Sequence, residues 1–166
     1  MKKWSFAPRA VALAFVLGVL SPAVALAAQF AYATIPGGNS VAVIDTATNT
    51  VTATVPVGPG PFAVAASPDG ALVYVGNTGD GSLSVIATAT NTVAAVLPGV
   101  GTQPSIPFSP NAAFIYISRS STDVVEVRDA STNAVVATVP VGDSPQGLSV
   151  TPNGAFVYGA NQGVFP

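Results

Sequence analysis

Glu126 and Arg128 stand two residues apart, with Arg119, Asp123 and Asp129 close by in the sequence. Residues two apart on a strand point to the same face. This cluster therefore either forms a surface ion-pair network or presents Arg119 to an anionic ligand or partner. Beyond it the reactive side chains are few: seven acids, five basic residues, no histidine and no cysteine. Lack of histidine removes the commonest general base, the usual haem ligand and most zinc and copper sites. Lack of cysteine excludes disulfides, thioether-attached haem, lipid attachment through an N-terminal cysteine and thiolate metal sites. Asp45 and Asp80-Gly81 supply one carboxylate per loop, far below what an EF-hand-like calcium site uses. No catalytic constellation results, and no cofactor or metal is expected.

What positions these groups is a tandem repeat. Tyr32, Tyr74, Tyr116 and Tyr158 recur at intervals of 42 residues. In the same register come Asp45, Ala87 and Asp129, then Asn49, Asn91 and Asn133, then Pro56, Pro98 and Pro140. Pro68, Pro110 and Pro152 follow, each before an Asp or Asn, so units beginning near 32, 74 and 116 align without insertion and a partial unit begins at 158. A period in this range means that each unit buries its apolar faces against its neighbours.

Ahead of the repeats, Lys2, Lys3 and Arg9 precede an apolar run from Ala10 to Leu20, followed by Ser21, Pro22 and the small-residue triplet Ala25-Leu26-Ala27. That layout predicts a secretory signal peptide over residues 1–27, cleaved after Ala27. Its apolar run is shorter than the ~18 residues of a spanning helix, so no membrane span is expected after cleavage. The expected location is secreted or periplasmic. Residues 28–166 would then carry two arginines against seven acids, a net charge of −5. Nothing there offers the basic surface that nucleic acid requires. Charged residues are 7% of the chain, and Ser, Thr, Asn and Gly supply the polar surface instead.

Within one unit, Leu72 to Val75, Leu83 to Ile86, Val93 to Leu97 and Ser105 to Phe108 read as strands separated by turn signals. Four strands in about 42 residues make one propeller blade. In Ser67-Pro68-Asp69-Gly70 the proline presets φ and the glycine accepts a positive one, and Thr151-Pro152-Asn153-Gly154 repeats the pattern. Ser109-Pro110-Asn111-Ala112 loses the glycine, which predicts local strain or a different turn. Asp45 to Thr50 reads as a hairpin turn with Asn49 in the left-handed position. Val41 to Ile44 is continuously apolar, as a strand covered on both faces should be, whereas Val51 to Val55 alternates like a half-exposed outer strand.

At these residues the chain resembles the YVTN family of β-propeller repeats. The matching segments are Val73-Tyr74-Val75-Gly76-Asn77, Ser40 to Asn49, Ala53-Thr54-Val55-Pro56-Val57-Gly58 and Ser67-Pro68-Asp69-Gly70. Ile115 to Arg119 and Val157 to Asn161 vary the signature strand, and Ala87 replaces the hairpin Asp. The resemblance implies an all-β propeller of four-stranded blades and an extracytoplasmic, surface-layer-type or periplasmic setting. It implies no catalytic residues.

If the family's strand order holds, the innermost strand of each blade is the one ending in Ser-Pro-Asp-Gly. The chain then has a three-stranded first blade, two four-stranded blades and a last blade reduced to two strands. About three blades cannot close a ring, since propellers close with ~4 to 8. Expected alternatives are a shortened longer propeller, self-association that completes the ring, or an open array. The Ser-Pro-Asp-Gly and Thr-Ala-Thr-Asn turns share one end of every blade, and the other end varies. Loops on a rigid scaffold usually carry recognition, so the candidate ligand-binding residues are Asn39, Asn77, Asp80, Gln103, Arg119, Asp123 and Asp143. The expected function is a non-catalytic module that binds a protein or envelope component or builds surface structure. Its rival is a lactonase-like or redox-associated periplasmic propeller enzyme lacking part of its ring.

Overall fold

The computed structural model describes residues 29–101 and 104–163. The predicted signal segment and its cleavage point after Ala27, and candidate residue Gln103, lie outside the described residues. Within them the chain forms four antiparallel sheets built from consecutive strands. Blade one contains β1 (Phe30–Ile35), β2 (Ser40–Asp45) and β3 (Thr50–Pro56). Blade two contains β4 (Pro61–Ala66), β5 (Leu72–Asn77), β6 (Ser82–Ala87) and β7 (Thr92–Leu97). Blade three contains β8 (Phe114–Arg119), β9 (Val124–Asp129) and β10 (Val135–Pro140), and blade four β11 (Pro145–Val150) and β12 (Val157–Asn161). No described helix is long and apolar enough to cross a membrane.

Burial follows the apolar pattern of each strand. The central strands are covered on both sides, β2 through Val41, Ala42 and Val43 and β6 from Ser82 to Ile86, whereas β3 and β10 are mostly exposed. Two apolar clusters fill the spaces between sheets. One joins blades one and two through Val41, Val43, Val55, Val73, Val75 and Ile86, and the other joins blades two and three around Tyr74, Leu83, Ile115 and Ile117. Each unit thus contributes both a donor and an acceptor face.

The turns take the conformations their residues favour. Asn49, Asn91 and Asn133 are left-handed, with φ of 55°, 52° and 60°. Ala112 has φ of 58°, beside 71° at the matching Gly70 and Gly154. The middle unit therefore keeps the same turn and carries the left-handed strain of an alanine, about 1 kcal/mol. All three of these turns use the same bonds: Ser67 Oγ meets Asp69 Oδ1 at 2.5 Å, Ser109 meets Asn111 at 2.7 Å, and Thr151 meets Asn153 at 2.7 Å.

One expected strand is absent. Ser105 to Phe108 is irregular, and its one ladder bridge is Phe108 to Ile115. Pro104 and Pro107 have no N–H to donate, so regular pairing cannot propagate through the segment. Its carbonyls still accept bonds from β8, Tyr116 N to Pro107 O at 3.0 Å and Ser118 N to Ser105 O at 3.2 Å. Blade three accordingly has three strands and an irregular inner edge, not the four expected.

Candidate functional site

The inner edges of blades two, three and four, namely β4, residues 104–107 and the Gln146-Gly147 stretch of β11, line a groove of about 490 Å³. Ser118 Oγ accepts from Ser105 N at 2.8 Å and donates to Gln146 O at 2.9 Å, while Leu148 N donates to Ser105 Oγ at 3.0 Å. These bonds stitch the irregular inner edge of blade three to β11 and set the curvature of the groove. Phe62 stands 60% exposed along it. Among the described residues no ionisable side chain lines the groove, which offers apolar contact, the Ser105 hydroxyl, the Gln146 amide and backbone groups.

The variable end holds the described candidates, and the fold uses most of their side chains. Asn39 and Asp123 occupy the same repeat position, both left-handed at 46° and 56°. Each side chain caps the loop that follows the next outer strand, Gly60 N donating to Asn39 Oδ1 at 3.0 Å and Ser144 N to Asp123 Oδ1 at 2.8 Å. Asp80 Oδ1 accepts from Ser82 N at 2.9 Å within its own turn. Asn77 is fully buried, donating to Ser82 Oγ at 2.8 Å and Ser84 Oγ at 2.9 Å. Asp143 is exposed. The loops share one end, where the bonds of Asn77 and Asp80 stay within blade two and those of Asn39 and Asp123 reach the connection into the following blade.

Arg119 is drawn inward instead. Its Nη1 donates to Glu126 Oε2 at 2.8 Å, and Arg128 Nε bonds the other carboxylate oxygen. Glu126 is 4% exposed, so this is an Arg–Glu–Arg arrangement inside blade three, not the surface network one reading expected. Arg128 also donates to Asn133 O at 3.0 Å, and Tyr74 Oη donates to Asn133 Oδ1 at 2.7 Å. Charge and interblade contact thus form one network. Burial raises the Tyr74 pKa, with the Asn133 bond and the Arg128 charge pulling the other way, so the phenol stays neutral.

Repeat positions explain why an arginine stands there. Asn77 packs so closely over Gly58 that a Cβ on that glycine would lie 2.6 Å from the amide carbon. Asn161 makes the same approach to Gly142, where a Cβ would lie 2.9 Å from its amide carbon, and its amide pairs with the Gly142 O and N, at 3.1 Å and 3.3 Å, when the amide nitrogen is turned toward the carbonyl. In the intervening unit the glycine is Val100 and the asparagine is Arg119. The valine side chain closes that space, and the longer side chain reaches Glu126.

Carboxylates at the opposite end, where the turns vary little between repeats, act as caps as well. Asp45 Oδ1 accepts from Ala47 N at 2.7 Å, and Asp129 Oδ1 accepts from Ser131 and Thr132 through both hydroxyls and both amides. The Ser131 hydroxyl leads the donors that hold the Asp129 pKa at about 2, below its usual 3.8. The folded-state value is depressed, so this contribution is fully present above about pH 4 and is lost as pH falls through about 2. Asp129→Asn keeps an acceptor but does not titrate. Urea denaturation at stepped pH should therefore show a shallower loss of stability between pH 4 and 2 in that variant. An unchanged slope would contradict the assignment.

These blades, their inner-edge groove and their two loop ends define a β-propeller-type repeat protein. No family model and no curated protein sequence matches the chain. Among solved structures it is similar to Kuenenia stuttgartiensis hydrazine synthase, at 26% identity and a TM-score of 0.74 over 81% of this chain and 40% of that one. It is also similar to a functionally unknown protein from Desulfotomaculum acetoxidans DSM 771, at 16% identity and a TM-score of 0.66, covering 75% and 40% of the two chains. Apo AztD from Citrobacter koseri gives 15%, 0.63, 73% and 34%. The chain therefore spans well under half the length of the propeller-type structures it matches.

The inner groove has no counterpart in the sequence reading, because its wall comes from three separated inner edges. The tie between Tyr74 and Asn133 was equally absent from it, although both residues were recognised as repeat markers.

Proposed function

We propose that this chain is a non-catalytic, extracytoplasmic β-propeller module of the YVTN repeat type, which binds a protein or envelope component through its inner groove and the adjoining loop end. One observation carries the reading: six of the seven acids have structural partners. Asp45, Asp69, Asp80, Asp123 and Asp129 accept bonds from nearby backbone amides, and Glu126 is held by two arginines. A carboxylate engaged in this way is a poor general base or metal ligand. Among the described residues no three acids converge. The signal-like segment supports export, and the uncharged Ser, Thr and Asn surface suits an extracytoplasmic setting.

A second reading is a propeller enzyme or redox-associated periplasmic protein, and the likeness to a hydrazine synthase favours it. The reaction belongs to that protein, of which this chain matches 40%. Elemental analysis of the purified mature protein separates the two readings. Metal well below one ion per chain is expected, and a stoichiometric ion would overturn the non-catalytic assignment.

A further inference from the structure

Blades two and three meet through the same repeat positions as blades three and four, yet the two interfaces are filled differently. In the first, Leu83, Ile115 and Ile117 pack around Tyr74, and the Phe108 ring meets Tyr74 edge-on with centroids 5.3 Å apart. Forty-two residues later those positions hold Val125, Val157, Gly159, Tyr116 and Val150. Leu83 to Val125 and Ile115 to Val157 each remove a methylene, Ile117 to Gly159 removes a whole side chain, and Phe108 to Val150 removes the ring. Protein interiors are close-packed, so losses on this scale leave a void unless the blades collapse together.

The blades do not collapse. A cleft of about 170 Å³ lies between blades three and four, lined by Tyr116, Val125, Val127, Leu148, Val157 and Gly159 among others. Tyr116 and Asn161 carry the only polar side chains among its described lining residues, so an occupant has little to hydrogen-bond. Among the described residues no carboxylate or amine lines it. An apolar cavity of about 150 Å³ is large enough to take up benzene. Gly159 has no positive φ, and a Cβ there would meet the flexible end of Leu148 at 3.1 Å, so the glycine answers to no backbone demand.

We propose that this cleft is a binding site for a small, uncharged, apolar molecule about the size of one aromatic ring, seated beside Tyr116 in the space over Gly159 that Ile117 fills at the neighbouring interface. The site is independent of the inner groove and of whatever partner that groove takes.

Benzene is the probe. Added to the mature protein, it should give a saturable, one-to-one shift of the Tyr116 ring resonances, leave those of Tyr74 unmoved and raise the melting temperature. Gly159→Ile, which copies Ile117, should weaken apparent benzene affinity at least tenfold while leaving the protein folded. If that variant is overpacked and unfolds, Val125→Leu, which copies Leu83, tests the same cleft from the opposite blade and should weaken binding severalfold. Benzoate, the same ring with a charge, should not bind. Absence of a saturable benzene shift, equal binding by a folded cleft-filled variant, or benzoate binding as well as benzene would each overturn the proposal.

Discussion

Tyr74→Ala is expected to destabilise the protein by about 3–5 kcal/mol, the usual cost of removing a fully buried aromatic side chain. The ring is 0% exposed, meets Phe108 edge-on and anchors its hydroxyl on Asn133 of the next blade. At this chain length that loss is a fall in melting temperature of roughly 10–15 °C. Because stability in repeat arrays is a sum of unit and nearest-neighbour terms, the damage should fall on the coupling between blades two and three. Calorimetry should then show a broadened or split transition. Tyr158 supplies the control, since it holds the same repeat position but is 65% exposed. Tyr158→Ala should change stability by about 0.5 kcal/mol or less. Equal losses at the two sites would mean that interblade packing does not set stability here.

That contrast also shows where sequence reading succeeds and where it stops. The period announced both tyrosines as equivalent, and it gave the blades, the left-handed Asn49 and the doubly covered β2, because these depend on local chemistry repeated in register. Burial depends on the neighbour, which the period does not state. Ser105 to Phe108 was misread as a strand because its apolar content outweighed the two missing donors at Pro104 and Pro107, a signal present in the sequence. Asn39 and Asp123 looked like recognition residues because their loops vary. Their shared position with Gly81, all three at positive φ, marks a backbone demand that the variation of the loops did not reveal. The coupled exchange of Gly58 and Asn77 for Val100 and Arg119 was likewise readable, but only once the close approach of the asparagine to the glycine was known. Surfaces assembled from several blades, such as the inner groove and the interblade cleft, have no local signature.

Glu126 is where the repeat departs furthest from its own pattern, and its removal should be comparably severe. Glu126→Ala leaves Arg119 and Arg128 facing each other with side-chain exposures of 28% and 12%, their shared partner gone. Breaking a buried pair in this way costs about 3–5 kcal/mol, mostly through the uncompensated charges left behind. The pair need not itself favour folding, since well-packed neutral replacements often do as well. Blade two contains such a replacement, with Gly58, Asn77, Ser84 and Ile86 at the matching positions and an Asn77 to Ser84 bond of 2.9 Å in place of the ion pairs. Combining Val100→Gly, Arg119→Asn and Arg128→Ile with Glu126→Ser should therefore recover stability to within about 1 kcal/mol of the parent. Urea denaturation of the single and combined variants measures both numbers. A cost below about 1 kcal/mol for Glu126→Ala would place the carboxylate in a solvated environment. Failure of the combined variant to recover would show that blade three needs its charges for packing that blade two achieves without them.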